Sequence, residues 1–527
     1  MPFSAQKQLP TPLAAALVSM VMAAATFAAC CLAFESAYGV NDDIAICMRA
    51  RGVGACDQPS PYLMFSHCLY GQLLVTLYNL SDRINWYFLC TEVIHFISTA
   101  TICFAVLRRD LRVRTVCLLA VYLLAFDFYF WRSPQFTVTA FLAAQAGVFL
   151  FLSGFRDDQR PGMKTVTLAV GFVVLGTLIR EKSAELVLVL SVPLLLSQPF
   201  GRPSWRSFRR ITLFLVLAGL ASVLATSSNR WYYAKDDGWN RAFEISRVLQ
   251  GLISYDKVEY VPRTKEAFDG VGWSKNDFAM LRAWFYADPQ RYSIEKMRAV
   301  LEAASDQVYE ADSVSSHRKP TAAISEVPLA GKAQATARPH GSTTATKSAS
   351  TQSPISSGLG AQVLRLFQKR HFLFMLCGLT ITFCYVRWNA GHSLYLALTA
   401  FGLLIVCAYI VIYMKSPPPR VLFPMLAFCN VAILFAAVDG RETCRQGSRL
   451  TPLRAIPLII FAALVPFALY HHHQDSLQFR ALNKNFLEAM ERLEPKPDQL
   501  YVVWGGSFPY ELIRPDDTLD WMEPFKM

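Results

Sequence analysis

Apolar runs of roughly 20 residues recur along this chain, and that recurrence restricts what it can fold into. A helix rises about 1.5 Å per residue, so about 20 apolar residues match the roughly 30 Å hydrocarbon core of a bilayer. Runs of this kind cover Leu13–Phe34, Trp86–Leu107, Thr115–Phe130, Phe136–Phe155, Thr165–Ile179, Ser183–Pro199, Ile211–Ala225, Phe372–Val386, Ser393–Tyr413, Val421–Val438 and Ala455–Tyr470. In lipid the backbone must satisfy its own hydrogen bonds, which helices do within one segment. The expectation is an all-α polytopic membrane protein with about 11 transmembrane helices. The first run follows Lys7 like a signal peptide, but its length exceeds a signal core and points to an uncleaved anchor.

With 53% hydrophobic and only 17% charged residues, the composition agrees with that class. The net charge of +12 raises the question of nucleic acid. Its Lys and Arg, however, gather in short loops between spans, among them Arg108, Arg109, Arg112, Arg114, Arg202, Arg206, Arg209, Arg210, Arg441 and Arg445. That distribution orients helices in a membrane, so nucleic-acid binding is rejected. The cysteines show no zinc-type spacing, and Cys103, Cys117, Cys377 and Cys407 sit inside spans as small apolar residues. Cys47 and Cys56 share the first polar loop, which leads to the expectation of a disulfide there.

The basic loops place the N-terminus inside and the C-terminus outside, provided Tyr62–Leu80 lies along the interface instead of crossing it. Asn41-Asp42-Asp43, Arg132, Arg180 with Lys182, the segment from Asn229, Lys415 with Arg420, and the C-terminal tail then share the outer face. Adjacent acids where a span ends invite two readings. One is a helix cap or turn. The other is a general base, because adjacent carboxyls repel and, partly desolvated, hold a proton more tightly. Arg180 and Arg420 stand at outer span ends against the positive-inside trend, at the depth of lipid phosphates, and arginine's fork suits a phosphate. Snorkelling to ordinary headgroups is the plainer alternative, and carries most weight for Arg132. Glu92 and His95 lie three residues apart on one helix face and are expected to pair with each other, or else to mark a polar cavity. Asp127 lies near the depth of Arg132 as a possible second acid. The run His471-His472-His473 reads as an interfacial loop and not a metal cluster.

Taken together, NDD (Asn41–Asp43), INWYF (Ile84–Phe88), LIREKSAEL (Leu178–Leu186), SSNRWYYAKDDGWNRAFEISRVLQ (Ser227–Gln250), GWSKNDFAMLRAWFYAD (Gly272–Asp288) and PPRVLFPML (Pro418–Leu426) resemble a group of bacterial membrane proteins with the layout of GT-C glycosyltransferases. The resemblance covers most of the chain outside one linker and is more specific as a combination than in any piece. It implies a GT-C-like fold in the bacterial inner membrane, with periplasmic interfacial helices and a small periplasmic C-terminal segment. The implied reaction is inverting transfer of a sugar from a polyprenyl-phosphate donor to an envelope glycan, lipid or protein, with a divalent metal as an optional helper. By the same implication the first-loop acid, Asp42 or Asp43, is the base, and Arg420 meets the donor phosphate; Arg180 and Arg132 are further candidates for that phosphate from their place at span ends. This chain departs from the pattern in having Asp-Asp where many such enzymes carry a Glu. The other reading of the whole chain is a transporter or flippase of lipid-linked saccharides, for which Glu92 and His95 would line the path.

The expected organisation is a membrane module over residues 1–226 with its acidic loop at 35–85, a helical segment at 227–310, a linker at 311–358, further spans at 359–474 and a tail at 475–527. Aromatic and apolar residues at helical spacing, including Trp239, Phe243, Leu249, Phe278, Leu281 and Trp284, mark the helical segment. The linker is rich in Ser, Thr, Ala and Pro, has few large apolar residues, and cannot offset the entropy of ordering. Deleting Thr321–Gln352 should therefore leave membrane insertion and thermal stability of the purified protein unchanged; loss of insertion in a fractionation assay would reveal an ordered element instead.

Overall fold

The computed structural model describes residues 11–315, 394–413, 418–439, 452–493, 501–502, 512–514 and 525–526, with short gaps at 55, 57, 156–160, 202–204, 256–257, 263, 284–285 and 287. The expected span Phe372–Val386, Lys415 and nearly all of the linker lie outside these residues. The chain divides into two compact units, Met1–Asp237 with Gln362–Met527, and Gly238–Ala361.

Among the described residues the regular structure of the first unit is helical, apart from a two-residue parallel pairing of Tyr501–Val502 with Phe525–Lys526. Helix α1 (Pro12–Ala33) starts with proline in its first turn, where no amide partner is lost, and Thr11 caps it. After it come α2 (Asn41–Arg51), α3 (Cys68–Leu80) and α4 (Trp86–Leu107), the last capped by Asn85. At 13 residues α3 is about 20 Å long, too short to cross, as the interfacial reading requires. Next come α5 (Val113–Tyr122), a π-helical turn (Leu123–Asp127) and α6 (Phe128–Arg132), which together make one span-length segment. The remaining helices of this unit include α7 (Phe136–Ser153), α8 (Met163–Gly201) and α9 (Trp205–Tyr233).

Seven helical segments among the described residues are long and apolar enough to cross a membrane. The difference from about 11 expected spans has identifiable sources. The two runs read as Thr165–Ile179 and Ser183–Pro199 are arms of α8, joined at the single non-helical residue Arg180 (φ −155°, ψ 100°) and counted once. Phe372–Val386 lies outside the described residues, the run Ser393–Tyr413 forms the helix Leu394–Tyr413 with a shorter described apolar stretch, and the last expected span is the first part of one 42-residue helix, Pro452–Leu493. That helix also overturns the loop reading of His471–His473. No breaker interrupts the sequence there, and His472 is buried against the rings of Phe34 and Tyr129.

Helix α7 is the centre of the bundle, with every residue from Phe136 to Ser153 buried. In lipid, helices associate by close packing instead of by apolar burial alone, and small residues permit it. A Cβ on Gly147 of α7 would stand 2.4 Å from the Ala169 carbonyl oxygen of α8, and one on Gly176 of α8 would stand 2.6 Å from the Ala140 oxygen of α7. Aromatic rings fill the spaces this leaves, with Phe151 stacked on Phe214 at 4.2 Å and Phe149 tilted on Phe428 at 5.5 Å. Helix α9 carries exposed Trp205 and Trp231 near its two ends, about 39 Å apart along the axis, a match to the interfacial aromatic belts.

The second unit packs α10 (Asp237–Leu249), α11 (Lys265–Gly270), α12 (Lys275–Arg282) and α13 (Ile294–Ser315) around Leu249, Phe268, Trp273, Phe278 and Met297. Ser274 and Asp277 form a capping box on α12, and Arg291 donates to both Asp277 oxygens, at 2.9 and 2.6 Å.

The close approach of α7 to α8 generates a test. Gly147→Val should lower the melting temperature in detergent by several degrees, since the β-branched side chain meets backbone. Gly171→Ala, where a Cβ meets nothing within 4 Å, should leave it unchanged or raise it slightly. Equal melting temperatures for Gly147→Val and wild type would disprove the close contact.

Candidate active site

The backbone from Phe34 to Val40 leaves α1 extended and runs beside the segment that joins α6 to α7: Ala37 N–H donates to the Arg132 carbonyl (2.9 Å), and Gly39 N–H donates to that of Pro134 (3.2 Å). Helix α2 then begins, with Asp42 and Asp43 in its first turn, where the helix dipole favours negative charge. The two acids point to different surroundings. Asp43 is fully buried, and its Oδ1 accepts from the Tyr87 hydroxyl of α4 (2.5 Å) and from the Phe136 amide that begins α7 (2.9 Å). Its other oxygen has no partner among the described residues. Burial pushes the Asp43 carboxyl up to about 7, against the two donors, which pull it down.

Asp42 keeps 36% of its side chain exposed, and its Oδ2 lies 3.5 Å from Arg420 Nη1, a residue 378 positions away. Arg420 opens the helix Pro419–Asp439 just after the proline run. Burial raises the Asp42 carboxyl, while the charges of Arg420 and then Arg180 draw it down. Arg180 sits at the break of α8, with its guanidinium 4.7 Å from the centre of the Phe65 ring and 5.1 Å from that of Phe136. Phe65 and Phe136 stack on each other at 6.1 Å. The charges of Arg420 and Arg180 thus both act on Asp42, whose neighbour Asp43 bonds Tyr87 and Phe136 of the cluster that also holds Tyr38, Ile44, Tyr70 and Tyr78.

Other expected residues stand apart from this group. Arg132 donates to Asp475 (3.2 Å) on the C-terminal helix. Lys182 pairs with Glu185 (2.9 Å) at the surface. The expected Glu92–His95 pair is replaced: His95 Nε2 bonds Asp127 (3.1 Å) and its ring stacks on Trp131 at 3.9 Å. Asp127 also accepts from Thr99 (3.2 Å) and from the Trp131 indole (2.7 Å). The cause is the neighbouring span, whose π-helical turn ends at Asp127, so a carboxylate from another segment fills the position that helical spacing alone assigns to Glu92. Glu92 is buried, and its Oε1 is without a partner among the described residues. The expected disulfide is not formed: Cys47 bonds Tyr78 (3.2 Å) and Asn85 (3.3 Å), and Cys56 donates to the Arg49 carbonyl (3.5 Å). Helix α2 turns Cys47 inward to the cluster, and Cys56 follows the end of that helix. Among the described residues no three His, Cys, Asp or Glu side chains gather as a metal site.

Tyr87, Phe65 and Phe136 escape sequence reasoning, since aromatics at span ends read as interfacial anchors. The INWYF segment held the one signal for Tyr87, whose neighbour Asn85 accepts from Tyr78 (3.0 Å) and Phe88 N–H (3.1 Å) and donates to Tyr38 (3.2 Å).

The chain is similar to two crystal structures of ArnT from Cupriavidus metallidurans. To the form bound to undecaprenyl phosphate it is 13% identical, over 95% of this chain and 84% of that one, with a TM-score of 0.38. To the apo form it is 11% identical, over 94% and 84%, with a TM-score of 0.36. No protein-family model and no curated protein matches the chain.

Asp43 supplies a pH signature. Its carboxyl is held up to about 7 in the folded state against about 4 for a free aspartate, so the folded state binds the extra proton between those values. Its stabilisation is complete below about pH 4 and lost as pH rises through about 7. Asp43→Asn keeps an oxygen acceptor for Tyr87 and Phe136, so it should fold and flatten the fall in melting temperature between pH 5 and 8 (a range set by those values). Identical pH profiles for Asp43→Asn and wild type would count against the assignment.

Proposed function

We propose that this protein is a GT-C-type inverting glycosyltransferase of the bacterial inner membrane, which moves a sugar from a polyprenyl-phosphate donor to an envelope glycan, lipid or protein at the periplasmic face. The observation that carries this reading is the contact of Asp42 with Arg420, with the charge of Arg180 also acting on Asp42, from three distant parts of the chain. An acid beside forked cations at the end of membrane spans suits one reaction: deprotonating a hydroxyl while a phosphate departs.

Asp42 is the base in this reading, because it is the partly exposed acid, whereas Asp43 is sealed under Tyr87 and Phe136. In the resting site Arg420 holds the Asp42 carboxylate and weakens it as a base. When the donor phosphate arrives, it takes the guanidinium fork of Arg420 with help from Arg180, and Asp42 loses the charge that pulled its proton affinity down. Asp42 then accepts the proton of the acceptor hydroxyl as that oxygen bonds to the anomeric carbon. The carbon–oxygen bond to phosphate breaks on the opposite face, and polyprenyl phosphate leaves against Arg420 and Arg180. One bond forms, one breaks, and the configuration inverts.

Transfer from a defined polyprenyl-phosphate sugar, followed at matched expression, tests the assignment. Asp42→Asn should abolish transfer with donor binding retained, since it removes a proton acceptor and little volume. Arg420→Lys keeps the charge but loses the fork, and one charge-assisted hydrogen bond is worth about 1.5–3 kcal/mol, or roughly ten-fold or more in kcat/KM. Full turnover by Asp42→Asn would sink the role of Asp42, and lysine equal to arginine would return the phosphate to Arg180.

A further inference from the structure

The segment Tyr62–Cys68 connects two parts of the first unit that the site depends on. A break at Arg180 leaves nearby carbonyls of α8 without their ordinary helical donors. The carbonyl of Leu178, two residues before the break, accepts instead from the backbone N–H of His67 at 2.8 Å. Two residues earlier in the same segment, Phe65 lies beneath the Arg180 guanidinium. The segment therefore meets this part of α8 twice, at the Leu178 carbonyl and at the Arg180 side chain.

Its other side is fastened to the end of α9. His67 Nε2 contacts the Ala225 carbonyl at 2.8 Å and Ser228 Oγ at 3.2 Å, while Nδ1 accepts from Leu69 N–H at 3.0 Å. With Nδ1 accepting, the ring is neutral and Nε2 carries the proton that goes to Ala225. Burial pushes the imidazole down, which favours the same neutral form. Asn229 Oδ1 accepts from Cys68 N–H (2.8 Å), and Tyr62 packs on Tyr232 and Tyr233 at 5.1 and 5.2 Å. A Cβ on Gly71 would stand 2.1 Å from the Pro61 carbonyl oxygen, so the strap folds back tightly on the first turn of α3.

We infer that Tyr62–Cys68 is a strap that sets the position of the Arg180 guanidinium, and that His67 is the positioning residue that locks it to α9. Its role in phosphate binding rests on the transferase reading above; the strap itself does not. Arg180 on a lone kink would sample many rotamers. Ring contact from Phe65 and a fixed Leu178 carbonyl hold its planar head where a phosphate reaches it, and lower the ordering cost of binding.

Two measurements on the full-length protein in nanodiscs separate these claims. The first is the rate of Arg180 modification by phenylglyoxal at fixed pH, read by mass spectrometry of the Arg180 peptide. His67→Ala should raise that rate several-fold, and His67→Gln, whose amide can still donate to the Ala225 carbonyl, should bring it back towards wild type. Phe65→Leu, which removes the ring and keeps apolar volume, should also raise it and serves if His67→Ala does not fold. Wild-type rates in His67→Ala, or in Phe65→Leu where that variant stands in, would overturn the strap. The second measurement is binding of undecaprenyl phosphate, which should weaken several-fold in His67→Ala and recover in His67→Gln. Faster modification with unchanged binding would overturn the positioning role. No binding by wild type would overturn the transferase reading and leave the strap to stand on the modification rates.

Discussion

Asp43 joins three elements through one carboxyl: it belongs to α2, accepts from the Tyr87 hydroxyl of α4, and accepts from the amide that begins α7. The amide of Phe136 is one that a helix N-terminus leaves without an internal partner, so the bond also caps the central helix of the bundle. With Asp43 held, its neighbour on α2 points about 100° away around the helix axis, and Asp42 projects towards Arg420. Burying a carboxyl is costly and raises its proton affinity, yet its two bonds tie α2 to α4 and to the start of α7. Adjacent acids in one motif thus serve unlike purposes, one as scaffold and one as the exposed charge.

The C-terminal helix Pro452–Leu493 completes the enclosure. One of its faces presents His472, Asp475, Ser476, Asn483 and Phe486 at helical spacing. These residues meet Phe34, Arg132, the Glu35 amide, the Leu512 carbonyl and the cluster around Tyr38 and Ile44 in turn. Arg480, one turn beyond Ser476, adds an ion pair with Glu35 at 3.0 Å. Exposed pairs of this kind contribute little stability individually, so the buried His472 and Phe486 should carry most of the docking. Deeper in the bundle, Asp127 is surrounded by His95, Thr99 and Trp131, a polar group whose hydrogen bonds are met within the helix packing. That arrangement makes His95 a partner of a buried acid and draws it away from the open polar path that the transporter reading would need.

Much of this was legible before any coordinates. Span-length apolar runs, an α3 too short to cross and a break near Arg180 follow from hydropathy, from helix length and from charge at span ends. So did the choice of Asp42, Asp43, Arg180 and Arg420 as residues out of keeping with their position. Local chemistry decides these matters, because a lipid environment penalises every charge or break that is not compensated nearby.

Partnership was decided by the tertiary structure alone. Glu92 and His95 share a helix face, yet the carboxylate of Asp127 on a neighbouring segment reaches His95. Cys47 and Cys56 share a loop in the sequence, yet α2 turns Cys47 inward to Tyr78 and Asn85. Asp42 and Asp43 look equivalent in the sequence, and only the placement of Tyr87, Phe136 and Arg420 gives them different roles. Spacing along one helix records which side chains share a face, but not what a second helix brings to that face. For that reason the sequence determined the class of fold and the charged residues available to the site, while packing determined which acid is buried, which is exposed, and which cations it meets.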